Sequence, residues 1–193
     1  GFFTYIGTIA RTWRSNRKNS AHTSTPLLKI NQITYFNNNS TIKTITDEEI
    51  ASFDRIYQGV DWGWFPDQYG FIRCYYDHTH ETIYFLDENY VLKTKNEVTA
   101  KWIKDKNYDD YNITCDSNEK KSVNDYRDFG LPARAAVKGP GSVEYGFKWL
   151  QGKKLVFDLR RTPNAYKEFS EYEYERDKEG NVIDKNSDKA TET

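Results

Sequence analysis

Methionine is absent from the 193-residue chain, cysteine occurs twice, histidine three times and proline five times. With no initiator, the sequence reads as an excised fragment. Cys74 and Cys115 each lie in a strand-like run with no partner at metal-ligand spacing, so they read as buried free thiols rather than a disulfide or a zinc site. His78 and His80 fall in a strand-connecting turn, where surface positions are expected, and no histidine cluster competes for a transition metal. No stretch approaches the roughly 20 apolar residues of a membrane helix. The N-terminus, GFFTYIGTIARTW, lacks the basic, apolar and small order of a signal peptide, so a soluble, cytosolic protein is expected. The spacing G-x-x-x-x-G-K-[ST] is missing, so the sequence gives no evidence of an ATP site of its own, and no nucleophile-elbow sequence supports a hydrolytic triad.

What is present suffices for one core. Hydrophobic residues make up 37% and aromatics 16%, enough Trp, Tyr and Phe for a dry interior. The net charge of −1 conceals an uneven distribution. Residues 1–100 carry 10 basic against 11 acidic side chains, 101–161 carry 13 against 9, and 162–193 carry 5 against 9. A basic middle beside an acidic tail suits a DNA-facing surface, and equally suits an ordinary solvated one.

Residues 1–45 are Thr- and Asn-rich and read as a linker or irregular lead-in with one or two short strands at most. Thr46 followed by Glu49 predicts a short capped helix through Phe53. Three strands are predicted next, from Ile56 to Trp62, Tyr69 to Tyr76 and Thr82 to Leu86, joined as an antiparallel meander. The period then changes. Val98, Trp102 and Ile103 follow an Asn96 cap at helical spacing, a strand runs from Tyr111 to Cys115, and a helix from Glu119 to Phe129 stops at Gly130. Further elements are a strand at Arg134–Val137, a helix capped by Ser142 and ending at Gly152, a strand at Lys154–Phe157 and a helix from Pro163. Residues 177–181 read as a turn and the last residues as a frayed polar tail. The order predicts an α/β fold with a mixed sheet of five or more strands, antiparallel on one side and βαβ on the other.

The most informative segment is GVDWGWFPD, residues 59–67. Asp61 sits between Val60 and Trp62 in a strand, where a charged group costs several kcal/mol unless it alternates to solvent, is paired or meets a cation. Asp116 arrives alike, at the end of Tyr111–Cys115. If the two strands are neighbours, both carboxylates converge at one edge of the core and repel unless a divalent cation lies between them. Asp67, beyond the Gly63–Pro66 turn, either folds back to the same ion or is a solvated turn residue. Carboxylate ligands favour Mg²⁺ or Mn²⁺, and a two-metal arrangement suits phosphodiester cleavage. Lys138 to Ser142 form a Gly-rich loop entering a helix, either a phosphate contact or a plain connection.

Four blocks in order, GVDWGWFPD, ITCDSNEKKSVNDYRDFGL, AAVKGPGSVEYGFKWLQGKKLVF and NAYKEFSEYEYERDKEGNV, resemble the C-terminal nuclease domain of the large terminase subunit of tailed bacteriophages over residues 46–184. The resemblance implies an RNase H-like, retroviral-integrase-like sheet and a divalent-metal-dependent endonuclease that cuts concatemeric double-stranded viral DNA during packaging in the host cytoplasm. It implies Asp61 and Asp116 as catalytic metal ligands, Asp67 as a ligand of the second metal, and Lys138 and Ser142 as DNA contacts. It also implies a portal protein, a small terminase subunit and an ATPase domain as partners, and no membrane. The family's third catalytic Asp belongs to a His-x-x-Asp block that this chain does not show, so residues 185–193 read as a tail ending before it. Two other readings stay open: a catalytically silent domain that docks on DNA or portal, and a resolvase- or transposase-type nuclease.

Overall fold

The computed structural model describes residues 39–63, 68–137, 139–140 and 142–171; of Ser142, Val143, Glu144, Phe147 and Glu171 it describes the backbone alone. The described strands are β1 (Ser40–Ile42), β2 (Ile56–Asp61), β3 (Tyr69–Asp77), β4 (Thr82–Val91), β5 (Ile113–Cys115), β6 (Ala133–Ala135) and β7 (Lys154–Phe157). The helices are α1 (Asp47–Ala51), α2 (Asn96–Asp105), α3 (Lys120–Asp128), α4 (Ser142–Gln151) and α5 (Pro163–Glu171). One sheet in the order β1-β7-β4-β3-β2-β5-β6 contains all seven strands. Its centre, β2-β3-β4, is antiparallel, as short connections require, whereas β5 and β6 add in parallel beside β2 and β7 and β1 add in parallel beside β4. The first described strand thus starts at Ser40, inside the stretch read as a lead-in.

Helices cover both faces because the strands are apolar on both. On one face Ile72, Cys74, Ile83, Phe85, Leu155 and Phe157 pack under Leu150 of α4 and Ala165 and Phe169 of α5. On the other, Val60, Phe71, Ile113 and Cys115 pack under Ala100 and Ile103 of α2 and Val123 and Tyr126 of α3. Farther along that second face, Leu86 and Val156 meet Ile45 and, from α1 and its exit, Ile50 and Phe53. Both cysteines are fully buried free thiols, and burial pushes the Cys115 thiol up to about 12.

Local signals set most element ends. Thr46 Oγ1 accepts the Glu49 amide at 3.2 Å at the start of α1, and Gly130 adopts φ +81° just past α3, where an L side chain would be strained. Besides shifted strand ends at β5, which starts at Ile113, and β6, which runs Ala133–Ala135, three expectations change. Asn96 is the first residue of α2 rather than its cap; its side chain instead donates to Asp125 Oδ2 at 2.8 Å, and Lys95 precedes the helix. Val98 is 55% exposed, because Thr99, Ala100 and Ile103 take the inward face. β4 runs on to Val91, five residues past the expected end. A bulge opposite Arg73/Cys74 re-phases this strand, placing Leu86 and Asp87 toward the α1–α2 side and Glu88 toward α5. Its acids are partnered: Asp87 accepts from Tyr108 at 2.6 Å and Lys106 at 3.1 Å, and Glu88 accepts the Ala165 amide at 2.8 Å.

Candidate metal centre

The parallel pairing of β2 with β5 positions the two acids. Val60 and Cys115 are in register and the Asp116 amide donates to the Val60 carbonyl at 3.3 Å, so Asp61 and Asp116 stand side by side one step farther on. Val60 and Cys115 face α2 and α3, and alternation therefore turns both carboxylates to the opposite side, the side of α4 and α5. Each acid is 4% exposed. The reading in which Asp61 alternates to solvent is thereby corrected: both faces of the sheet are covered. Neighbouring strands lie about 4.8 Å apart, and two unit charges at about 5 Å repel by about 3 kcal/mol at an effective dielectric near 20.

The strand neighbours of Asp61 on its own face are small. Gly59 lies two positions before it on the same face and Gly70 is its register partner in β3, so neither neighbour covers the carboxyl with a side chain. Behind it, on the α2–α3 side, Trp62 meets the Tyr126 ring edge-on at 5.0 Å. Tyr126 is locked by hydrogen bonds to Thr99 at 2.7 Å and Tyr69 at 2.8 Å, which fixes the floor of the strand end. Asp116 is itself held by local geometry: its Oδ1 accepts the Asn118 amide at 2.9 Å as the chain turns toward α3.

Two further buried oxygens near these strand ends were not singled out from the sequence, and one of them, on Thr114, belongs to this side of the sheet. Thr114 alternates with Ile113 and Cys115 onto the carboxylate face; it is 1% exposed and its Oγ1 has no hydrogen-bond partner among the described residues. Gln68, two positions before Gly70, has a buried Oε1 that is likewise unsatisfied. An unpaired buried acceptor costs about 1–3 kcal/mol. Carboxylate and hydroxyl oxygens form a hard donor set, with no nitrogen or sulfur ligand beside them among the described residues, and this fits Mg²⁺ or Mn²⁺. Register reveals the Thr114 oxygen and burial the Gln68 one, since a Thr in a β-run and a Gln before one are unremarkable in sequence.

The remaining predicted site residues are placed less fully. Among the described residues, no group of three or more His, Cys, Asp or Glu gathers as a metal cage, so the described centre is a carboxylate pair. Asp67 and Lys138 lie outside the described residues. Ser142 opens α4, but its side chain is likewise outside them. His78 and His80 lie at the β3–β4 turn and are exposed, as expected. No described helix is long and apolar enough to cross a membrane.

Comparison with known proteins gives these features a setting. A family model described as a terminase RNAseH-like domain matches residues 61–192. The terminase large subunit of Bacillus phage SPP1 is 38% identical over 152 residues, which is 77% of this chain and 36% of that protein. The chain thus spans about a third of that relative's length. The crystal structure of the nuclease domain of the SPP1 large terminase with bound Mn superposes with a TM-score of 0.74 at 37% identity, covering 78% of this chain and 88% of that one. A large terminase from a thermophilic bacteriophage shares the fold, with a TM-score of 0.53 at 14% identity over 73% of this chain and 36% of that one. The mixed α/β sheet expected from the element order is therefore the RNase H-like sheet of large-terminase nuclease domains.

Proposed function

Because this chain belongs to the terminase RNase H-like domain family, we propose that it is the endonuclease portion of a viral DNA-packaging terminase, hydrolysing double-stranded DNA with Mg²⁺ or Mn²⁺. The observation that carries this reading is the buried side-by-side pair of Asp61 and Asp116 at the ends of two parallel strands. When bound, the divalent metal supplies an acidified water nucleophile and charge stabilisation at the leaving oxygen. Asp61 and Asp116 would hold and orient the cation, on two strands whose register sets them side by side. Thr114, on the same side of the sheet as the two acids, would accept a hydrogen bond from water held there. Asp67 is assigned to a second ion, and Lys138 and Ser142 to the DNA backbone.

The substrate in this reading is concatemeric viral DNA in the host cytoplasm. The portal protein, the small terminase subunit and an ATPase domain are the working partners. Nicking of supercoiled plasmid by the chain in Mn²⁺, Mg²⁺ and EDTA tests the activity. Cleavage in metal and none in EDTA is expected. A folded chain that binds Mn²⁺ and leaves plasmid intact would favour a docking role, and preference for branched over linear duplex would favour a resolvase-type enzyme.

A further inference from the structure

The carboxylate side of the sheet carries a positive charge that the proposed chemistry leaves unused. In β6, Ala133 belongs to the cluster under α2 and α3, so Arg134 faces the other way. It is in register with Thr114, which is in register with Gly59, and all three lie on the side of Asp61 and Asp116. Asp116 is two positions past Thr114, which puts its Cα about 8 Å from that of Arg134, given strands about 4.8 Å apart and a rise of about 3.3 Å per residue. An arginine side chain spans that distance. Arg134 is half-buried and its Nη2 is shielded from solvent, so the guanidinium lies against the protein instead of extending into water. Ala136, the next residue on this side and 7% exposed, brings no bulk between Arg134 and the acids. Along β2, β5 and β6, the other side chains directed this way are Tyr57, Thr114 and Asp61, so the positive charge there comes from Arg134.

From this placement we infer that Arg134 is a positioning residue, the built-in counter-charge of the carboxylate pair, which sets how tightly Asp61 and Asp116 hold a divalent cation. The inference rests on the reading of those acids as metal ligands. A guanidinium stays charged at any working pH, so the offset is permanent. It reduces repulsion between the acids in the metal-free chain, and it opposes an arriving dication by like charge. Both effects weaken metal binding, so the residue trades affinity for a centre that stays assembled without its ion. A merely structural arginine predicts the opposite, because loosening the β5–β6 edge would displace Asp116.

Calorimetric titration of Mn²⁺ onto the full chain, stripped with EDTA and dialysed, tests this with Arg134→Gln, Arg134→Met and Arg134→Lys. The neutral variants are expected to bind Mn²⁺ about tenfold more tightly than the parent, and Arg134→Lys to stay within about twofold of it. Circular dichroism selects the folded neutral variant for the comparison, and Met keeps the apolar stem should Gln unfold. Unchanged or weaker binding in a folded neutral variant overturns the inference. Failure of the parent chain itself to bind Mn²⁺ overturns the metal-centre reading instead, a separate outcome visible before any variant is made.

Discussion

The Asp158 carboxylate accepts the Ile45 amide at 2.9 Å across 113 residues of sequence, and it ties the entry to the domain to the end of β7. Burial on its own would raise this carboxyl; hydrogen bonds from the Ile45 and Arg160 amides, with the Arg160 guanidinium, outweigh it and hold Asp158 below the usual carboxylate range. Arg161 completes the clasp by donating to the Ile45 carbonyl at 3.0 Å and to Asp47 at 2.6 Å. Replacing Asp158 with Ala orphans two amides and is expected to lower unfolding free energy by about 2–4 kcal/mol in urea titrations. Because the folded carboxyl is depressed, its contribution is complete above the unfolded value and is lost as pH falls through the folded one. Asp158→Ala should therefore flatten the acid limb of stability below about pH 4. An unaltered acid limb would remove Asp158 from the clasp.

Asp61→Asn and Asp116→Asn should each abolish Mn²⁺-dependent plasmid nicking while leaving the metal-free melting temperature unchanged or higher. Each substitution removes a ligand and a repulsion together. A variant as active as the parent would count decisively against that residue. Asp67→Asn is expected to weaken activity without abolishing it, read as a shift in the Mn²⁺ dependence of the rate.

Metal should bind the folded chain and not the unfolded one. At a free Mn²⁺ concentration about 100 times the dissociation constant the gain is about 2.7 kcal/mol, which raises the melting temperature by several degrees for a domain of this size. EDTA should reverse the shift, and Asp61→Asn should be insensitive to both. A parent melting curve indifferent to Mn²⁺ and EDTA would contradict the proposed centre.

Thr114→Val separates stability from function. The hydroxyl is buried and unsatisfied among the described residues, so an isosteric apolar replacement should stabilise the metal-free chain by up to about 1 kcal/mol. If that hydroxyl orders water at the centre, the same variant should lose part of its Mn²⁺-dependent activity, measured as the single-turnover nicking rate. Loss of stability with unchanged activity would mean that Thr114 is a packing residue.

Tyr126→Phe should cost about 1–2 kcal/mol, since its hydroxyl links Thr99 and Tyr69 and burial leaves no water to replace it. Chemical denaturation measures this directly. A neutral effect would mean that Thr99 and Tyr69 close the gap by bonding each other.

Much of the fold was legible because helix caps and β-branched runs are local. Thr46 and Gly130 marked helix ends, and Lys154–Phe157 was found at its true limits. The extension of β4 was not legible, because the bulge puts two consecutive residues, Leu86 and Asp87, toward one side, and its acids look like loop residues until Tyr108 and α5 are seen to satisfy them. Val98 misled for another reason: which stripe of an amphipathic helix turns inward is decided by the surface it meets, and α2 meets that surface with Thr99 and Ala100. At the candidate centre the acids were visible as charges in apolar strands. Thr114 and Arg134 were not, since pairing across strands, rather than spacing along one, brings them to the same side.

The fastening of α5 has a geometric corollary. Glu88 grips its first turn through the Asn164 and Ala165 amides at 2.8 Å, and Tyr90 donates to Glu168 at 2.9 Å one turn later. The helix is pinned to β4 at two points, on the flank of the sheet that carries Asp61 and Asp116. The last described helix therefore takes its position from β4, on that flank.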